Sequence, residues 1–138
     1  MDDSTDSLWP SDLLKVKSRS PGVILMEQGV VLGKLTQNIL QAKIITGRTN
    51  DWSNDIRFNF QIFAPALNYS LQLLSVQHSM TDLYPVTISS AYFSEHEVKA
   101  EDEEEFKRVL KSIFSEKKVQ NAISALLAQS EGFEPVPF

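Results

Sequence analysis

The sequence predicts an α+β fold: a four-stranded antiparallel sheet covered on one face by helices. Three observations lead there. Residues Asp55 to Phe63 alternate, with Ile56, Phe58, Phe60 and Ile62 on one side and Arg57, Asn59 and Gln61 on the other. That is the period of a strand with one dry and one wet face. Other strand-like runs flank it, joined by short turn-rich connections that favour antiparallel neighbours. Helical periodicity is confined to the two ends of the chain, so helices from both ends can close over one sheet face. At 138 residues the chain has the size of one domain and can bury a core without disulfides or metal. The expected organisation is a mobile arm over 1–19, a single domain over 20–132 and an extended tail over 133–138, where Pro135 and Pro137 do not suit a helix.

The arm is rich in Ser and Asp. Within it Pro10 suits the first turn of a helix, and Trp9, Leu13, Leu14 and Val16 are placed to dock on the body. Lys15, Lys17 and Arg19 read as solvated charges. Ser20-Pro21 matches an N-cap followed by a first-turn proline, opening a helix over 22–35. Its apolar spacing is favoured over a rival hairpin turning at Gln28-Gly29. Gly29 and Gly33 lower helix propensity by up to about 1 kcal/mol each, but they let a helix backbone lie close against a sheet.

The first strand is expected over 38–46. Ile39, Leu40, Ala42, Ile44 and Ile45 alternate only in part, as in a strand covered in places on both faces. Residues 47–54 form a turn-rich loop, 55–63 the second strand, and Pro65 ends its hydrogen-bonding run. In the third strand, 69–78, Tyr69, Leu71 and Leu73 share one phase, whereas Leu74 and Val76 share the other. One inserted residue does this, so a β-bulge is expected between Leu73 and Leu74. After a loop at 79–84, the fourth strand spans 86–93. The acidic run 95–105 reads mostly as the start of a helix, where negative charge is favourable. Asp102 with Glu105 matches a capping box. Phe106, Val109, Leu110, Ile113 and Phe114 then recur at helical spacing, giving a helix over 102–114. Ser115 caps a last helix over 116–130, and Gly132 stops it.

A net charge of −5 weighs against non-specific nucleic-acid binding, which draws on a basic face. No run reaches the ~18 apolar residues of a membrane span. The acidic start Met1-Asp2-Asp3 is unlike a secretory signal, so a cytoplasmic location is expected. With no cysteine, disulfides, thiolate metal sites and cysteine nucleophiles are excluded. Phosphate-loop, nucleophile-elbow, zinc-helix and calcium-loop motifs are absent. His78 and His96 fall at opposite ends of the fourth strand, roughly 30 Å apart at strand rise, so neither a metal nor another cofactor is expected.

The remaining candidates concern association. Trp52 stands in a polar loop like an interface anchor, with Arg48 nearby to support an anionic partner. The wet face carries Arg57, Asn59, Gln61, Phe63, Gln72, Thr87 and Ser89, polar but nearly uncharged, which suits packing against another subunit. Leu74 and Val76, flipped in phase, are expected to add apolar area there. The leading expectation is a small soluble non-catalytic protein-binding or regulatory module, a homodimer through the sheet, binding by Trp52, Arg48, Arg57, Gln61 and Phe63. One alternative is a small enzyme or small-molecule binder with a pocket between helix 22–35 and the sheet, its polar groups being Glu27, Tyr69, His78 and Tyr84. Another is an acidic adaptor that binds a basic protein through 95–105.

Overall fold

A computed structural model describes residues 6–15, 18–48, 54–93 and 95–131. Helix α1, Pro21–Leu35, leads into strands β1, Gln41–Arg48; β2, Asp55–Ala64; β3, Tyr69–Ser79; β4, Asp82–Ser89; and β5, Glu97–Ala100. Helices α2, Glu103–Phe114, and α3, Lys117–Glu131, follow. The strands pair in the order β1-β2-β3-β4-β5, each neighbour antiparallel. The sheet is an α+β meander with five strands where four were expected. β5 hides in the acidic run: Glu97 and Lys99 point to the open face while Val98 and Ala100 pair beside buried Ile88 and Val86. So short an alternation is masked by its charged neighbours.

The expected bulge is present. Phe60 pairs with Leu74, but Gln61 pairs with Gln72, so Leu73 is the extra residue. Its consequence reverses the expectation for Leu74 and Val76. The insertion returns them to the dry face, where both are buried opposite Phe60 and Phe58. They add nothing to the open face.

The first strand begins later than expected, because Gln37 and Asn38 adopt positive φ and close α1. Asn38 N–H donates to Gly33 O at 2.7 Å, and asparagine tolerates this left-handed closing turn. β4 begins earlier, at Asp82 rather than 86, with Met80-Thr81 forming the hairpin tip. Pro85 is accommodated because β3 and β4 pair at Gln77↔Thr87 and Ser79↔Asp82 but not between, so no ladder donor is required of it. The Tyr84–Pro85 peptide is cis. β4 ends at Ser89, because Ser90 Oγ donates to Leu73 O and accepts from Tyr92 N–H, bending the chain away.

Ser20 caps α1 through Val23 N–H, with Pro21 in its first turn. Asp102 caps α2 through Glu105 N–H at 2.8 Å. Glu105 reaches back to Glu101 N–H rather than to the cap residue itself, a variant of the expected capping box. Ser115 closes the C-terminus of α2; the expectation placed it at the start of the last helix. All three helices lie on the dry face. Phe106 of α2 meets Tyr84 edge-on at 6.3 Å, and Phe114 tilts over Phe60 at 6.0 Å. Of the arm residues expected to dock, Trp9, Leu13 and Leu14 are exposed, and Ser11–Leu14 makes only a turn. Val16 and the tail 133–138 lie outside the described residues.

Candidate functional site

Helix α1 is apolar almost all round. In PGVILMEQGVVLGKL the polar side chains are Glu27, Gln28 and Lys34. A surface helix ordinarily reserves its apolar stripe for the core and shows charge elsewhere. Here glycines share the inward side with Pro21, Ile24 and Leu25. A Cβ on Gly29 would stand 2.7 Å from Ala42 Cβ in β1, and one on Gly22 would stand 2.8 Å from the Phe58 ring in β2. Their missing side chains let α1 settle close on β1, with the Phe58 ring reaching up to Gly22 from β2, while Leu25 fills the core.

Among the described residues, the flank of α1 beside the edge strand β1 has no such cover. Val23, Met26 and Val30 are 46%, 61% and 58% exposed. Their spacing of three and four puts them on one stripe. Below them a groove of about 680 Å³ runs between helix and edge strand, lined in part by Met26, Val30, Lys34, Ala42, Ile44 and Thr46. On the opposite flank Val31 and Leu35 rim a smaller apolar cleft of about 170 Å³ beside α3, floored by Phe60, Ile62 and Leu73.

The open sheet face is organised differently. Register places Arg57, Gln77, Thr87 and Lys99 in one cross-strand row and Asn59, Ser75, Ser89 and Glu97 in the next. Its polar groups largely bond one another. Arg57 donates to Gln77 at 2.9 Å, Gln61 to Gln72 at 3.1 Å, Gln72 to Asn59 at 3.2 Å, and Gln77 to Asp55 at 3.0 Å. Phe63 lies under the Lys43 ammonium, 3.7 Å from the ring centre. Ile45, half-exposed, adds an apolar spot. Arg57, Gln61 and Phe63 are thus brought together on one face, as expected. Arg48 ends β1, exposed; Trp52 lies outside the described residues.

The four residues assigned to a pocket do not line one cavity. Tyr69 and His78 stand nine positions apart along β3. His78 is a buried, packed residue. Its Nδ1 lies 2.7 Å from Ser79 O and 3.2 Å from Asp82 O, so the proton belongs on Nδ1, and its ring stacks on Phe58. Glu27 and Tyr84 do converge, on Arg19. The Arg19 guanidinium pairs with Glu27, its carbonyl accepts from Tyr84 Oη at 2.9 Å, and its N–H donates to Glu103 at 2.9 Å. Arg19, two residues ahead of α1, therefore ties that helix to α2 and β4. Burial and the carboxylates of Glu103 and Asp102 push the Tyr84 phenol up to about 12, against a smaller pull from Arg19. Glu103 is held below the usual glutamate range by Lys107, 2.8 Å away, and by the Arg19 N–H.

No protein-family model, curated protein or solved structure matches the chain.

The acidic run splits between β5 and the first turn of α2. Among the described residues no three His, Cys, Asp or Glu side chains gather as a metal site, and no helix is long and apolar enough to cross a membrane. The exposed flank of α1 was visible in the sequence as a helix with too many apolar residues for one buried stripe. Which flank remains open required the packing of α1 on β1 and β2.

Proposed function

We propose that this chain is a non-catalytic protein-binding module that docks its partner on the outer flank of α1 and the adjoining edge of β1. The observation that carries the reading is the exposed stripe Val23, Met26 and Val30 above an open groove. Apolar side chains at this spacing serve helix–helix packing, and a free edge strand is a template for further pairing. The open sheet face is the poorer surface, because its amides already satisfy one another and Leu74 and Val76 are buried on its other side. The small-molecule reading has less support, since Glu27, Tyr69, His78 and Tyr84 are not gathered around one cavity.

The test is Val30→Glu. At a half-exposed position this substitution is expected to leave the fold within about 0.5 kcal/mol of its original stability, since no buried partner is lost. Tagged protein in native extract is expected to migrate above its chain mass of 15.6 kDa, and the variant at that mass. If both migrate as the bare chain, the docking reading fails.

A further inference from the structure

The flank of α1 that faces α2 and α3 differs from the docking flank, and what it binds does not depend on the docking reading. We infer that it holds a site for a small single-chain carboxylate, with the anionic head at Lys111 and a short aliphatic tail lying between α1 and α3.

Room for such a ligand exists because α1 settles on the edge strand β1 and packs closely on neither α2 nor α3. Two clefts occupy the gap. One, about 450 Å³, opens between α1 and α2 and is lined in part by Arg19, Glu27, Lys107 and Lys111. The other is the apolar cleft of about 170 Å³ beside α3. Gln28 and Phe114 line both. Along α1 the lining passes from Ile24 through Gln28 and Val31 to Leu35, positions three and four apart that share one flank. The clefts are therefore the two ends of one furrow.

Chemistry divides that furrow. At the apolar end the floor is Phe60, Ile62 and Leu73, all buried, and the walls are Val31, Leu35 and Ile123. Leu73, the extra residue of the bulge, joins this floor. An apolar cavity of about 150 Å³ takes up benzene, so this end has room for about six carbons.

The other end supplies charge. Arg19 pairs with Glu27, and Lys107 with Glu103. Lys111, one turn beyond Lys107 on the same face of α2, makes no ion pair among the described residues. The Gln28 amide, at the junction of the clefts, makes no hydrogen bond among the described residues, so it can donate to the same head. Three carbonyls at the end of α2 are already taken by Ser115 N–H, Glu116 N–H and Gln120 Nε2, which lessens their opposition to an anion. The three cations against two carboxylates leave one positive charge here, in a chain whose net charge is −5. That matches a carboxylate better than a phosphate ester, which carries about −1.5 to −2. Of the four residues expected from the sequence to form a pocket, only Glu27 lines this furrow.

Equilibrium dialysis of the purified chain tests this with straight-chain carboxylates, octanol, acetate and octyl phosphate, all below micelle-forming concentrations. Affinity is expected to rise roughly fourfold per methylene from butanoate to octanoate and to level off by dodecanoate, when the apolar end is full. Octanol, with the tail but no charge, and acetate, with the head but no tail, are expected to bind more weakly than octanoate, and octyl phosphate no more tightly. Lys111→Glu, at an exposed position, is expected to weaken octanoate several-fold and leave octanol unchanged. Ile123→Trp is expected to fill the apolar end and remove both, with its far-ultraviolet spectrum showing that the helices persist. Val30→Glu, on the outer flank, is expected to change neither. No binding of octanoate overturns the inference. So does equal affinity for octanol and octanoate, or tighter binding of octyl phosphate. Loss of octanoate in Val30→Glu with none in Lys111→Glu would place the ligand in the outer groove and overturn it too. The docking reading stands or falls separately, on the complex in extract.

Discussion

Tyr84 shows how one side chain reports on the packing of three elements. Its ring leans edge-on against Phe106, and its hydroxyl donates to the carbonyl of Arg19. Burial disfavours the phenolate, and the nearby carboxylates of Glu103 and Asp102 disfavour it further. The folded state therefore prefers the neutral phenol more strongly than the unfolded chain does. That preference contributes stability fully below the ordinary tyrosine value of 10 and loses it as pH rises through about 12. In an alkaline titration followed by tyrosinate absorbance, one of the three tyrosines is expected to ionise late. The late phase should be missing in Tyr84→Phe. Simultaneous ionisation of all three would mean that α2 does not pack on β4 as described.

At the scale of the element, α1 depends on where its glycines sit. Gly29 and Gly33 look alike in the sequence, yet their surroundings differ. A Cβ at Gly29 meets the Ala42 side chain on the rigid sheet at 2.7 Å, whereas one at Gly33 meets the side-chain oxygen of Asn38 at 3.1 Å. Alanine in place of glycine favours a helix by about 1 kcal/mol, but overpacking typically costs about 1–3 kcal/mol. Gly29→Ala is thus expected to destabilise by about 1 kcal/mol or more net, because helix and sheet must separate. Gly33→Ala is expected to be neutral or stabilising, because the asparagine tip can shift. Denaturant midpoints of the two variants decide this. Equal effects would show that α1 does not rest on β1 at Gly29.

For the whole molecule, a partner docked on the outer flank of α1 would bury the exposed stripe Val23, Met26 and Val30. Folding and binding are then linked, because the partner binds the native state and not the unfolded one. The melting temperature of the complex recovered from native extract is expected to exceed that of the purified chain, and the two are expected to be equal for Val30→Glu. Scanning calorimetry of both preparations checks this; equal values for the wild-type chain count against the docking surface.

What the sequence determined by itself was local. Alternation in Asp55–Phe63 assigned the faces of β2, Ser20-Pro21 and Asp102 marked helix starts, and the phase change at Leu73-Leu74 located the bulge. Each is legible because the cause lies within a few residues: a two-residue pleat, a cap, one inserted position. Tertiary structure decided the rest. It returned Leu74 and Val76 to the dry face, because a bulge is judged by the partner strand rather than by its own sequence. It made Glu97–Ala100 a strand, because pairing with β4 outweighed the charges around it. It set Tyr69 and His78 nine positions apart along β3, since residues along one strand keep their distance whatever their chemistry. It left Val23, Met26 and Val30 uncovered because α1 settled on the edge strand β1, with no further strand beyond it to cover that flank among the described residues. A helix apolar all round does not itself say which side the sheet will take.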